Sequence, residues 1–305
     1  MSCKGSIVIR DNGETRYFST GAYNPLSYLF LSQEKLKEKA QYGRLEFQKL
    51  NSAWDETGVL MDADERQLLY FGGECAWEIG FRKVLNAFLE HTLWPGWKVR
   101  FCPKGIVDFA QALDMGPLAM PWLDGTPPDL YDLRYWIADE SSIDSPDMGE
   151  IESLLMIRVG GERCLHGIRS MYVCDILDHG EDLIAPLSKR GFRRYVSGID
   201  GDGLCSSALI DCDEKRLTYW YVDEERPPEY FARFWPGWEI VDLADDYRSF
   251  SLASGGAVMF DESLDMDRAI AGIRACNHDI DISDKPLIPE EELEALLSSF
   301  LAEYR

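Results

Sequence analysis

Apolar and polar positions along this chain fall into short runs of alternating character, interrupted by a few longer stretches of helical period. Ile7-Val8-Ile9 leads into Asn12-Gly13, and Leu155-Met156-Ile157 leads into Gly160-Gly161. Each pair supplies the positive φ that a tight β-hairpin needs. Val59-Leu60-Met61 and Leu68-Leu69-Tyr70-Phe71 flank Asp62-Ala63-Asp64-Glu65-Arg66, while Ala208-Leu209-Ile210 and Leu217-Thr218-Tyr219-Trp220 flank Asp211-Cys212-Asp213-Glu214-Lys215. Both read as hairpins, because Asp side chains accept from nearby backbone N–H groups in turns. Over residues 78–93, Ile79, Val84, Leu85, Phe88 and Leu89 predict a helix, whereas 227–234 has room for about two turns. Trp97-Lys98-Val99-Arg100-Phe101 alternates as a half-buried strand does, and 238–243 does so less cleanly.

These segments recur in order. Trp-Pro-Gly-Trp occurs at Trp94–Trp97 and at Trp235–Trp238, with Pro and Gly in the places that favour a type II turn. Ile7, Val59 and Trp94 match Leu155, Ala208 and Trp235 at offsets of 148, 149 and 141 residues. The first copy therefore carries eight more residues between its Asp-x-Asp turn and its Trp turn. A period this long exceeds a solenoid unit and suits one domain each. The expected fold class is α+β: two tandem, diverged repeats, each a mainly antiparallel sheet with helices packed on one face.

Residues 1–113 form the first repeat and 153–260 the second. Between them, 114–152 holds five prolines, an acidic balance and large apolar residues such as Trp122, Tyr131 and Trp136. That mixture predicts an extended connection that packs rather than a solvated tether. After the second repeat, Met266, Ala269, Ile270 and Ile273 mark a helix. Leu293, Leu296, Leu297, Phe300 and Leu301 form one stripe of another, opened by Pro289 and three glutamates. Both helices, within 261–305, are expected to cap the second domain.

Charge changes the picture. The net value is −23, yet residues 1–100 carry 13 acids and 13 bases, and 151–200 carry seven of each. Residues 101–150 hold ten acids against two bases, and 201–305 hold 24 against nine. Such a field opposes nucleic acid and anionic membrane as partners, and favours a basic protein drawn in by long-range attraction. General solubility explains the same acidity without any partner. No apolar run approaches the roughly 20 residues of a membrane span, and the first residues lack a secretory core, so a cytoplasmic protein is expected.

Candidate chemistry is sparse. The eight cysteines include no Cys-x-x-Cys pair, the four histidines have no zinc spacing, and no cofactor or metal site is expected. Neither a nucleophile elbow nor a phosphate loop occurs. Asp200-Gly201-Asp202-Gly203 reads as a turn rather than a calcium loop. Cys164 with His166, and Cys174 with His179, are candidate Cys–His pairs, and neither recurs in the first copy. The positions that do recur are Asp62, Asp64, Trp94, Trp97, Asp211, Asp213, Trp235 and Trp238, as interaction or structural positions. The aspartates suit hairpin turns better than an acid–base pair, and the tryptophans suit a core better than a binding face.

Acidic, duplicated and without a recognisable catalytic motif, the chain resembles in character the immunity proteins of bacterial toxin systems. That resemblance implies a non-catalytic cytosolic binding protein that neutralises a basic toxin domain. Two alternatives stay open: a hydrolase-like enzyme with an inter-domain cleft lined by carboxylates, and a structural or homo-oligomeric protein.

Overall fold

A computed structural model describes residues 4–21, 25–42, 44–45, 55–116, 151–169, 172–188, 191–200, 203–224, 226–278 and 286–304. Most of the proline-rich connection expected over 114–152 lies outside these residues, as do Gly201 and Asp202. The chain divides into two compact units, one of residues 1–120 with 264–305, the other of 121–263.

In the first unit the strands are β1 (Lys4–Asp11), β2 (Glu14–Gly21), β3 (Arg44–Leu45), β4 (Asp55–Asp62), β5 (Gln67–Phe71) and β6 (Lys98–Phe101). The helices are α1 (Pro25–Tyr28), α2 (Gln33–Tyr42), α3 (Ile79–His91) and α4 (Ile106–Ala112). The strands lie in the order β3-β2-β1-β4-β5-β6. The hairpins β1–β2 and β4–β5 are antiparallel, as their turns predict, but β1 joins β4 in parallel and β5 joins β6 in parallel. The sheet is therefore mixed. Parallel neighbours need a crossover, and the helices supply it. Alternation along the strands sends Ile7, Ile9, Val59, Met61, Leu68 and Tyr70 to one core, and Val8, Leu60, Leu69 and Phe71 to another. Helix α4 closes the second core with Ile106 and Phe109, so helices cover both faces of the sheet, not one.

The second unit repeats this plan with β7 (Ile151–Val159), β8 (Glu162–Arg169), β9 (Tyr195–Gly198), β10 (Ser206–Asp211), β11 (Arg216–Tyr221), β12 (Glu239–Asp242) and β13 (Val258–Asp261). Its helices are α5 (Val173–Leu177), α6 (Ile184–Leu187), α7 (Pro228–Phe231) and α8 (Tyr247–Ala253). The order β8-β7-β10-β11-β12, with the same alternation of antiparallel and parallel pairs, matches β2-β1-β4-β5-β6. Even the register agrees: Ile7 faces Val59, and Leu155, 148 residues on, faces Ala208, 149 residues on. Among the described residues, β3 in the first unit and the parallel pair β9 and β13 in the second stand outside the shared plan. The eight-residue difference falls in one place, where 13-residue α3 is answered by four-residue α7.

Helices α9 (Met266–Cys276) and α10 (Glu290–Glu303) belong to the first unit, contrary to the expected cap on the second. Ala269, Ile270, Ile273, Leu293, Leu297 and Phe300 join the core that holds Phe81, Leu85 and Phe88. The physical reason is length. Helix α3 is long enough to offer an outer face to two further helices, and the single turn of α7 is not. Gly272 lets α9 approach, since a Cβ there would stand 2.6 Å from the Phe81 ring. Asn277 holds the connection by donating to the Ile288 carbonyl at 2.8 Å and accepting the Ile288 N–H at 2.9 Å.

Candidate binding surface of the second unit

The repeated aspartates form a latch between hairpins. Asp62 ends β4 and is buried, with its carboxylate paired to Arg10 on the neighbouring parallel strand; Asp211 is buried against Arg158 in the same way. Asp64 sits in the exposed turn and accepts the Asn12 and Gly13 N–H groups, both at 2.8 Å. Asp213 accepts those of Gly160 and Gly161 at 2.7 and 2.8 Å. The Gly161 and Gly160 donors hold the Asp213 carboxyl below the ordinary value of 3.8, because they stabilise the charged form. Asp62 likewise raises the pKa of the Arg10 guanidinium. In each copy the two aspartates serve different partners: the first balances a partly buried arginine, and the second clamps the tip of the other hairpin.

The Trp turns are equally regular. Trp94 and Trp235 are fully buried, and their Nε1–H groups donate to the carbonyls of Leu29 and Leu177 at 2.7 and 2.8 Å. Trp97 and Trp238 are half-buried, each edge-to-face with its partner at a centroid distance of 4.9 Å. Gly96 and Gly237 take φ of 78° and 80°, the left-handed conformation that the third position of a type II turn requires. One difference stands out: Trp238 Nε1–H donates to Glu181 Oε1 at 2.6 Å.

Polar chemistry separates the two units. Beyond β11, the mostly buried Arg226 donates to Glu224 at 2.6 and 2.8 Å and to Asp175 at 2.7 Å, with Asp178 3.7 Å away. Tyr230 donates to Asp178 at 2.8 Å. The guanidinium lies 5.8 and 5.7 Å from the ring centroids of Tyr230 and Phe231. Three carboxylates thus surround one cation. Burial alone lowers the Arg226 pKa, but Glu224, Cys174 and Asp175 outweigh it and the net direction is upward. Burial, first of its causes, pushes Asp178 up, and it pushes the Tyr230 hydroxyl up to about 12. In the first copy Leu26, Ser27 and Phe30 stand where Cys174, Asp175 and Asp178 are, and Trp77 and Phe81 where Arg226 and Tyr230 are.

The edge strands differ too. Lys98 and Arg100 are exposed on β6, whereas β12 offers exposed Glu239, then Asp242, followed by Asp245 and Asp246. Lys98 N–H and Cys102 N–H bond inward to the Arg66 and Tyr70 carbonyls, so the Val99 N–H points outward, where it is met by Glu90 Oε1 at 2.7 Å. Glu239 N–H and Leu243 N–H bond inward to the Lys215 and Tyr219 carbonyls, which turns the Ile240 N–H outward. Counted back from the Trp turn, Glu90 corresponds to Phe231, which has no side-chain acceptor, and the Ile240 N–H has no acceptor among the described residues.

The cysteine and histidine candidates sit in packed surroundings. Cys164 contacts the Ser188 carbonyl at 3.6 Å, and buried His166 places Nε2 2.7 Å from the Leu187 carbonyl. Cys174 is buried, which drives its thiol pKa well up, with Glu224 as the next cause. Burial lowers the pKa of His179. Among the described residues no group of three or more His, Cys, Asp or Glu is placed to hold a metal ion, and no helix is long and apolar enough to cross a membrane.

Glu224, Arg226, Asp175, Asp178 and Ile240 do not announce themselves by any motif. The available signal was comparison of the two copies: charged residues occupy the second where the first is uncharged. No protein-family model matches the chain, and no similarity to a curated protein or to a solved structure is found.

Proposed function

We propose that the protein is a non-catalytic binding protein that engages a basic protein partner through its second unit, in the manner of an immunity protein that neutralises a basic toxin domain. The observation that carries this reading is the divergence of the copies. Recurrent carboxylates and tryptophans are consumed by the fold, while acidity without a recurrent structural role gathers in the second copy. Over residues 201–263, 14 acids face five bases. Three carboxylates share Arg226, and Glu239 with Asp242 marks the edge strand. A surface of that sign raises the encounter rate of a cationic protein and penalises anionic ones.

The test is to look beside this chain's gene for one that encodes a basic protein, express that protein and measure its affinity across ionic strength; finding no such gene counts against the reading. The affinity is expected to weaken by about tenfold or more between low salt and roughly 0.5 M, where the screening length falls to a few ångströms. An affinity that does not change with salt overturns the reading.

A further inference from the structure

We infer that the open edge of β12 is a strand-addition site that takes an extended, lysine- or arginine-bearing segment of the partner; this rests on the basic-partner reading above. Register supplies the first ground. Ile240 directs both its N–H and its C=O away from β11, and neither has a partner among the described residues. An exposed backbone donor and acceptor on one edge residue is a template for another strand. The equivalent group in the first unit is closed by Glu90, and the opposite edge of the second sheet is bridged at Leu165 by Phe192, both bonds 3.0 Å. Ile240 is therefore the exception among these three edge positions.

Charge chooses the occupant. Glu239 is exposed and ion-paired with Arg216 at 2.7 Å, and Asp242, two residues after Ile240, accepts from the Tyr221 hydroxyl at 2.9 Å, so an acidic side chain stands on each face of the edge. A second copy's β12 would lay acid against acid, which is unfavourable across a strand pair. A second copy's β6 is basic, but its outward Val99 N–H is already bonded. A basic strand from a different protein meets both conditions.

The experiment uses the full chain and a synthetic peptide, Thr-Lys-Val-Lys-Val-Lys-Thr, with both ends blocked. Hydrogen exchange of the Ile240 amide is followed by NMR while binding is measured by fluorescence anisotropy. The peptide is expected to bind and to slow exchange at Ile240. N-methylation along one peptide edge is expected to weaken binding about five- to tenfold, the scale of one or two lost hydrogen bonds, while methylation of the other edge changes nothing. Ile240→Pro, which removes the outward N–H and is tolerated on an edge strand, should reproduce the loss. Equal binding by both methylated peptides without protection of Ile240 overturns strand addition and leaves the basic-partner reading standing. Equal binding of a peptide with Glu for Lys overturns the choice of occupant. A peptide that fails to bind overturns strand addition, and the salt titration of the neighbouring basic protein then decides the broader reading separately.

Discussion

Trp235 donates its indole N–H to the carbonyl of Leu177 at 2.8 Å, closing the end of α5 with a side chain 58 residues away. The same bond ties Trp94 to Leu29 in the first unit. Each Trp turn is thereby fixed to the first crossover of its own sheet. Trp235→Phe keeps most of the apolar area but leaves a buried carbonyl without its donor, a cost of about 1–3 kcal/mol. Trp238→Phe removes a bond to exposed Glu181 and is expected to cost less than about 1 kcal/mol. Denaturant unfolding followed through the second unit distinguishes them; equal costs would contradict the assignment of Trp235 as the anchor.

The ion pair of Arg158 with Asp211 is a fold element, so breaking it and replacing it should differ. Arg158→Met strands the carboxylate of Asp211, which is 3% exposed, and is expected to destabilise the second unit by about 3–5 kcal/mol. Adding Asp211→Leu should recover part of that loss. Recovery will be incomplete, because Asp211 also accepts the Asp213 and Glu214 N–H groups at 3.2 and 3.3 Å. A double variant less stable than Arg158→Met would refute this account.

Much of this architecture was legible in the sequence because duplication samples the same physics twice. Asn12-Gly13 and Gly160-Gly161 gave the hairpin tips, and Trp94 and Trp235 gave the turns. What was hidden depends on contacts between distant segments. Nothing local in Ile7 or Val59 states that their strands run parallel, and the antiparallel hairpins alone suggested a simpler sheet. The destination of α10 was hidden for a similar reason: its stripe of Leu293, Leu297 and Phe300 is equally apolar whichever unit receives it. The open edge at Ile240 was hidden because an absence, the missing counterpart of Glu90, carries no motif.

Asp213 makes the latch sensitive to acid. Its folded pKa lies below 3.8, so the stabilisation is complete above that value and is lost as pH falls through the folded pKa. Asp213→Asn is expected to be less stable than the parent at neutral pH, with the gap closing as pH drops below about 3.8. Thermal unfolding at a series of pH values measures the gap. A gap that widens toward acid would show that the Gly160 and Gly161 donors do not favour the charged carboxylate.

The placement of the C-terminal helices makes a prediction confined to one unit. Phe300 is buried and meets Phe88 edge-to-face at 5.7 Å. Phe300→Ala should cost about 3–5 kcal/mol, the range for emptying a buried aromatic site. Hydrogen exchange resolved by peptide should show lost protection in α3 and β4, with β7 and β10 unchanged. Loss confined to β7 and β10 would return α10 to the second unit.

Glu90 provides the last test, because it marks the difference between a closed edge and an open one. Its carboxylate accepts the outward Val99 N–H at 2.7 Å, and among the described residues none serves Ile240 in the same way. Glu90→Ala is expected to cost the first unit about 1 kcal/mol and to speed exchange at the Val99 amide toward that of Ile240. Opening β6 should not create a second site for the lysine peptide, since Lys98 and Arg100 flank Val99, whereas Glu239 and Val241 flank Ile240 with Asp242 next along the strand. The glutamate version of the peptide is the one expected to gain affinity for the variant. If the lysine peptide gains it instead, edge charge does not choose the strand, and backbone availability alone governs docking.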